Sequence, residues 1–398
     1  MKKFGKAVSL LLAASLVVAS LTACSGGSTE TTADTTAAGD SSASAGTETF
    51  LIGGIGPLTG SAASYGISVE QGAQIAIDEI NAAGGVQVGD TTYMLDMVFE
   101  DDEATEDKAI QAYNTVMDQG AQVIMGAVTS GACIAITPLT YEDGILQITP
   151  SGSAEACIAN DNAFRICFSD PEQGRAMADY AIDTLGYTKI AVLYNNSDEY
   201  STGLQTAFEE EVAAKGGKIV ASESFGADDV DFNTQLSSIR ATDAEVIYVP
   251  AYYQAATYIT NQAKEMGMEI PFIGSDGWDG VLGTVTDATT VEGAIFSSPF
   301  CASVDDEKVQ NFVSAYGEAY DGAVPDQFAA DAYDTIYSIK AAMEQAGSIE
   351  SEDLIAAMTE ITVNGLTGDA ITFDASGAAE KEVRFVEIVD GAYQYRED

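Results

Sequence analysis

The chain has 398 residues, with 16 Lys and Arg against 62 Asp and Glu, no histidine and a formal net charge of −46. So acidic a polymer excludes nucleic acid as a partner on electrostatic grounds. The lack of histidine removes Ser-His-Asp chemistry, histidine-ligated zinc and the commonest acid–base catalyst near neutral pH.

At the N-terminus, Lys2, Lys3 and Lys6 precede the apolar run "AVSLLLAASLVVASLTA" and then Cys24. A basic start, an apolar stretch and small residues at its end predict a secretory signal over 1–23 rather than a membrane span. The following "SGGSTETTADTTAAGDSSASAGTET" has no large apolar residue and no period, so 24–49 is expected to be a tether and not part of a packed domain. About 350 residues remain, enough for two domains.

From there strand and helix signals alternate. Phe50–Ile55 is an apolar strand, and Val69, Ala73, Ala76, Ile77 and Ile80 form one face of a helix that Gly84-Gly85 ends. "YMLDMVF" (93–99) is a second strand, followed by a helix with Ile110, Tyr113, Val116 and Met117 on one face. "QVIMGAV" (122–128) is a third strand, a helix starts near Ala132, and "ILQITP" (145–150) is a fourth strand. The alternation then restarts with strands at "KIAVLYN" (189–195), "KIVASES" (218–224), "EVIYVPA" (245–251) and "PFIGS" (271–275). Helices are predicted near 305–321, 326–347 and 351–360, and terminal strands near 370–374, 383–389 and 392–395. Such alternation predicts βαβ units and parallel sheets covered on both faces, arranged as two doubly wound α/β lobes.

The glycine cluster "LIGGIGPLTG" (51–60) raises the possibility of a nucleotide loop, and its details argue against one. From Gly54 the spacing is one residue longer than the dinucleotide fingerprint, and Pro57 stands where a phosphate-cradling N–H is wanted. The acidic end of the second strand, Glu100, comes too late for the ribose partner, and no Lys-Ser/Thr closes a Walker loop. Without histidine, a metal cluster or a GxSxG elbow, nothing activates a nucleophile, so neither an enzyme nor a cofactor is expected. Cys133, Cys157, Cys167 and Cys301 lack CxxC spacing, which disfavours zinc. Outside the cytoplasm they allow disulfides in any of three connectivities.

Ligands of parallel-sheet proteins bind beyond the carboxyl ends of the strands, and those segments carry hydroxyls, rings and carboxylates here. They hold Tyr65, then Thr129 and Ser130, then Ser151, Gly152 and Ser153; the second lobe supplies Tyr200, Tyr252, Tyr253, Asp276 and Trp278. Individually these read as helix caps and turn residues. Their recurrence in both lobes points to a small-molecule site.

Several motifs together carry a resemblance: "GPLTGSAASYG" (56–66), "GAQIAIDEINAAGGV" (72–86), "ITPSGSA" (148–154), "FRICFSDPEQG" (164–174), "GSDGW" (274–278) and "AADAYD" (329–334). Over about 50–398 the chain resembles the leucine/isoleucine/valine-binding proteins, the substrate-binding components of bacterial ABC importers. The resemblance implies two Rossmann-like lobes joined by a three-segment hinge, with the ligand in the cleft between them. Lobe 1 would comprise 50–167 and 300–384, and lobe 2 would comprise 168–299 and 385–398. It implies α-carboxylate ligands at Ser130 and Ser151–Ser153 with Thr129 beside them, an ammonium partner at Asp276, and tyrosines 200 and 252 completing the polar shell. Tyr65 and Phe328 would line the side-chain pocket near Val128, Gly152 and Gly277; for Phe328 a plain core role is the alternative. Relatives often carry Glu where this chain has Asp276, and the loop cysteines of some members are missing. Under the resemblance, the pairings favoured here are 133–157 and 167–301.

"LTAC" resembles the bacterial lipobox, which implies acylation of Cys24 and attachment to the extracytoplasmic face of the cell membrane through lipid alone. The implied partners are an amino acid, most simply leucine, isoleucine or valine, and the permease subunits, with the binding protein itself a monomer. A ligand sensor of the same fold, for another amino acid, a short amide or a small carboxylate, is the competing expectation.

Overall fold

The computed structural model describes residues 46–396. The signal segment, Cys24 and all but the last few tether residues lie outside the described residues. Among the described residues, no helix is long and apolar enough to cross a membrane.

The first lobe begins with β1 (Thr47–Gly56), α1 (Ala63–Ala82), β2 (Val86–Val88), β3 (Thr91–Asp101), α2 (Glu106–Asp118), β4 (Val123–Gly126), α3 (Ser130–Asp143), β5 (Gln147–Thr149) and β6 (Ala163–Arg165). Its six strands lie in the order β2-β3-β1-β4-β5-β6. The second lobe follows with α4 (Asp170–Asp179), β7 (Lys189–Asn195), α5 (Glu199–Ala214), β8 (Lys218–Phe225), α6 (Asn233–Arg240), β9 (Val246–Val249), α7 (Tyr253–Glu265), β10 (Phe272–Gly274) and β11 (Ile295–Ser297). The chain then returns to the first lobe for α8 (Glu307–Ala319), α9 (Gln327–Ala346) and α10 (Ser351–Met358). It crosses back to add β12 (Phe385–Val389) and β13 (Ala392–Tyr395) to a seven-stranded sheet ordered β13-β12-β11-β10-β9-β7-β8.

The chain therefore passes between the sheets three times, at 166–169, 298–306 and 359–384. The passages are tied together: Ser298 N–H donates to Arg384 O at 2.9 Å, and Arg165 exchanges backbone bonds with Gly377 and Ala379. Helices cover both faces of each sheet, so central strands are buried throughout. All four residues of β4 and all four of β9 are buried, which is why both read as unbroken apolar runs.

Three expectations need correction. The sheets are not wholly parallel, because β2 pairs antiparallel with β3, and β12 and β13 run antiparallel at the far edge. The expected strand at 370–374 is reduced to isolated bridges, Val363 with Ile371 and Phe373 with Ala379. The first strand also starts at Thr47, because a parallel ladder with β3 recruits the polar end of the tether through backbone bonds alone. The three-residue strands β2, β6 and β11 are too short to leave a periodic signal.

The α1 face forms as expected: Val69, Ala73, Ala76, Ile77 and Ile80 are buried. On α2 the buried face is Ala109, Ala112, Tyr113 and Val116, while Ile110 is 36 % exposed. Small residues face the sheet there because the helix lies close over β1, where a Cβ on Gly53 would come within 2.9 Å of Val116 Cγ2.

Helix α9 packs along α1, and Gly72 is the point of closest approach: a Cβ there would overlap the Ala329 carbonyl. Gly72→Ala is expected to destabilise the protein by about 1–3 kcal/mol, because backbone cannot be moved aside as a side chain can. The check is urea unfolding, in which the midpoint should fall with an unchanged slope.

Candidate functional site

The loops at the carboxyl ends of the strands face one another between the lobes. From the second lobe, β10 runs into a 3₁₀ turn at Asp276–Trp278. Asp276 is 5 % exposed, and Tyr200 Oη, from the first turn of α5, donates to its Oδ1 at 2.6 Å. The same hydroxyl accepts from Gly277 N–H at 2.8 Å, and Gln173 Oε1 accepts from Asp276 N–H at 3.2 Å. A Cβ on Gly277 would lie 2.7 Å from Tyr200 Oη, so this hydroxyl can approach only glycine. Burial pushes the Asp276 carboxyl up to about 6, opposed by hydrogen bonds from Tyr200, Gln173 and the Gly277 backbone. Among the described residues no ion pair reaches Asp276.

Tyr65, in the first turn of α1, spans the gap. Its hydroxyl donates to Gly277 O at 2.5 Å and accepts from Tyr253 N–H at 3.1 Å. Its ring lies 4.1 Å from that of Phe328 and edge-on to Tyr252 and Tyr253, while Tyr252 stacks on Tyr200 at 4.8 Å. Tyr65, Phe328, Tyr252, Tyr200 and Asp276 are thus one contiguous aromatic and acidic cluster. Phe328 is a buried helix residue whose ring faces Tyr65.

The first lobe supplies hydroxyls and a helix end. Thr129 is the N-cap residue of α3 and Ser130 its first residue, so the unpaired N–H groups of that turn point out of the strand β4 loop. Ser130 Oγ accepts from Ala154 N–H at 3.2 Å, and Ser151 Oγ donates to Val128 O at 2.7 Å. Gly152 N–H donates to Thr149 Oγ1 at 2.7 Å, fixing the loop after β5. Thr129 Oγ1 and Ser153 Oγ are buried without a hydrogen-bond partner. Thr129 and Tyr252 line one interlobe crevice of 650 Å³, whose rim carries Glu103, Glu106, Asp198 and Glu199. Buried hydroxyls and helix N–H groups suit an anionic group; a buried carboxylate without a counter-ion suits a cation.

Sequence reasoning missed the groups that brace the cluster. Gln327, at the start of α9, donates through Nε2 to Asp276 O at 2.7 Å, and its N–H donates to Asp279 Oδ2 at 3.0 Å. Gln173 also accepts from Ser297 Oγ at 2.7 Å. Gln173 and Asp279 stand inside or beside the quoted motifs "FRICFSDPEQG" and "GSDGW", so a signal was present. Gln327 had none beyond the Asp326 cap before it.

Comparison with known proteins gives a consistent picture. A family model described as periplasmic binding protein matches residues 49–392. The chain is 28 % identical to the Leu/Ile/Val-binding protein homolog 3 of Brucella melitensis over 79 % of this chain and 84 % of that one. In fold it is similar to the branched-chain amino acid transporter substrate-binding protein LivJ of Streptococcus pneumoniae, solved with isoleucine, at a TM-score of 0.80 and 30 % identity, covering 87 % of this chain and 98 % of the other. A Rhodopseudomonas palustris (R. palustris) solute-binding protein solved with benzoate has a TM-score of 0.77 at 23 % identity, over 87 % and 95 % of the two chains, and shares the fold alone.

All four cysteines of the described residues are free and buried. Cys133 and Cys157 are neighbours behind the hydroxyl loops, where a Cβ on Gly152 would lie 3.1 Å from both Cys133 Cβ and Cys157 Sγ. Burial pushes the Cys157 thiol up, and its hydrogen bond to Cys133 adds to the rise. Cys301 Sγ instead contacts Ser303 and the Tyr393 carbonyl. Oxidation is therefore expected to link 133 to 157 first. Peptide mapping of the protein with and without reductant checks this, and a link joining either residue to another cysteine would contradict it.

Proposed function

The chain belongs to the periplasmic binding protein family, and we propose that it is the extracytoplasmic substrate-binding component of an ABC importer for an aliphatic amino acid. Leucine, isoleucine and valine are the leading ligands. The reading rests on Asp276, a buried carboxylate that forms no ion pair among the described residues, so that the positive charge it needs must arrive with the ligand. An aromatic acid such as benzoate brings a second negative charge to this region and no cation, which disfavours it. The similarity to Leu/Ile/Val-binding proteins and to a LivJ holding isoleucine supports the amino-acid choice.

In this reading the α-carboxylate takes the hydroxyls and N–H groups of Thr129, Ser130 and Ser151–Ser153, and Gly152 allows the backbone to approach. The α-ammonium takes Asp276, with Tyr200 and Tyr252 enclosing the polar end. Tyr65 and Phe328 flank the aliphatic side chain. Closure of lobe 2 (168–299 and 385–398) on lobe 1 (50–167 and 300–384) desolvates both charged groups at once, and that is where binding energy is gained. Cys24 carries the lipid that holds the monomer near its permease.

Thermal unfolding against the common amino acids tests the reading. Leucine, isoleucine or valine at a hundred times its dissociation constant adds about 2.7 kcal/mol, a rise of a few degrees, which Asp276→Ala should abolish. No response to any amino acid would overturn it. Affinity should also depend on pH. A ligand ammonium favours the ionised form of Asp276, so binding is full above about pH 6 and weakens as pH falls through that value. Calorimetric titration from pH 7.5 to 4.5 should show the loss approaching about tenfold per unit.

A further inference from the structure

Away from the hydroxyl loops, the two lobes meet through bonds that run directly from protein to protein. Gln327, buried at the start of α9 in the first lobe, donates through Nε2 to Asp276 O at 2.7 Å and through its backbone N–H to Asp279 Oδ2 at 3.0 Å. Both acceptors lie in the turn after β10 of the second lobe. At the start of α1, Ser64 N–H donates to Tyr253 Oη at 3.3 Å, and Tyr65 Oη accepts from Tyr253 N–H while donating to Gly277 O. Gly280, held at a φ of +99°, comes so close that a Cβ there would lie 3.4 Å from Ser64 Oγ.

Helix capping does not account for the Asp279 contact. Asp326 already caps α9, its Oδ1 accepting from Ala329 N–H at 3.0 Å. Asp279 brings a second carboxylate to the same helix start from the opposite lobe, where the partial positive charge of the helix end favours it. None of these residues lies in the passages at 166–169, 298–306 and 359–384, so parting the lobes at this edge breaks the bonds while the passages stay intact. Each bond joins protein to protein, and it therefore favours the closed arrangement by the same amount whichever ligand is enclosed.

We infer that Gln327 and Asp279 form an interlobe clasp that sets how long a ligand is held, without taking part in the choice of ligand. The inference rests on the reading of the interlobe cleft as an amino-acid site. Affinity in a closing protein combines intrinsic binding with the closure equilibrium, so a bond made only on closure multiplies the affinity for every ligand by one factor. That factor falls on dissociation, because a ligand leaves through the open arrangement. Selectivity stays with the groups that touch the ligand, and position 327 adjusts affinity without altering it.

Calorimetric titration and stopped-flow dissociation of leucine, isoleucine and valine, from the protein and from its Gln327→Met variant, test this. Methionine keeps the side-chain volume and removes the donor to Asp276 O. The variant should bind all three ligands about three- to tenfold more weakly, by a common factor, with the loss carried by faster dissociation. Asp279→Ala, made in the opposite lobe, should do the same, and it serves as the test if the Gln327 variant folds poorly. Unchanged affinity and dissociation in a folded variant would assign the contact to the fold and overturn the inference. Factors that differ among the three ligands would place Gln327 in the pocket wall and overturn it as well. Failure of the unsubstituted protein to bind any amino acid would instead overturn the functional reading, and this inference with it.

Discussion

A buried carboxylate with no cation paired to it is the constraint around which this structure is arranged. Asp276 could have been stabilised by a neighbouring arginine; instead a tyrosine hydroxyl, a glutamine and backbone N–H groups surround it. Hydrogen bonds of this kind lower the cost of burying the charge without cancelling it. The remaining imbalance is what a cationic ligand group can relieve. Much of the local sequence follows from it: glycine at 277 so that Tyr200 can approach, and glutamines at 173 and 327 so that the turn is held without adding charge.

The two-lobe architecture makes that imbalance useful. Each sheet delivers its loops to one edge, because its central strands run parallel and end on the same side. The first lobe contributes hydroxyls and the start of α3; the second contributes the carboxylate and two of the tyrosines. Neither half alone satisfies both ends of an amino acid. Tyr65 connects them, with one hydroxyl bonded to both Gly277 and Tyr253 across the gap and one ring laid against Phe328. The three passages of the chain keep the halves in register while leaving the loop edges free to face each other.

How far the site could be read from the chain varies by residue. Asp276 and Tyr200 were legible because each follows a strong apolar strand, where parallel-sheet proteins bind ligands. Phe328 was ambiguous, since a helix residue facing the core and one facing a pocket leave the same pattern. Ile110 was misread: periodicity identifies an apolar stripe, but the close approach of α2 to β1 selected the alanines beside it.

The sequence by itself determined the two α/β lobes, most of their strands, and the loops that meet between them. Those follow from local periodicity and from glycine and proline punctuation, which act over a few residues. The tertiary structure alone decided the antiparallel edge strands and the bracing glutamines. These depend on contacts between segments up to a hundred or so residues apart, such as Gln173 with Asp276 and Ser297. A residue's own type does not record which distant group desolvates it, and desolvation is what turns an ordinary aspartate into a binding group.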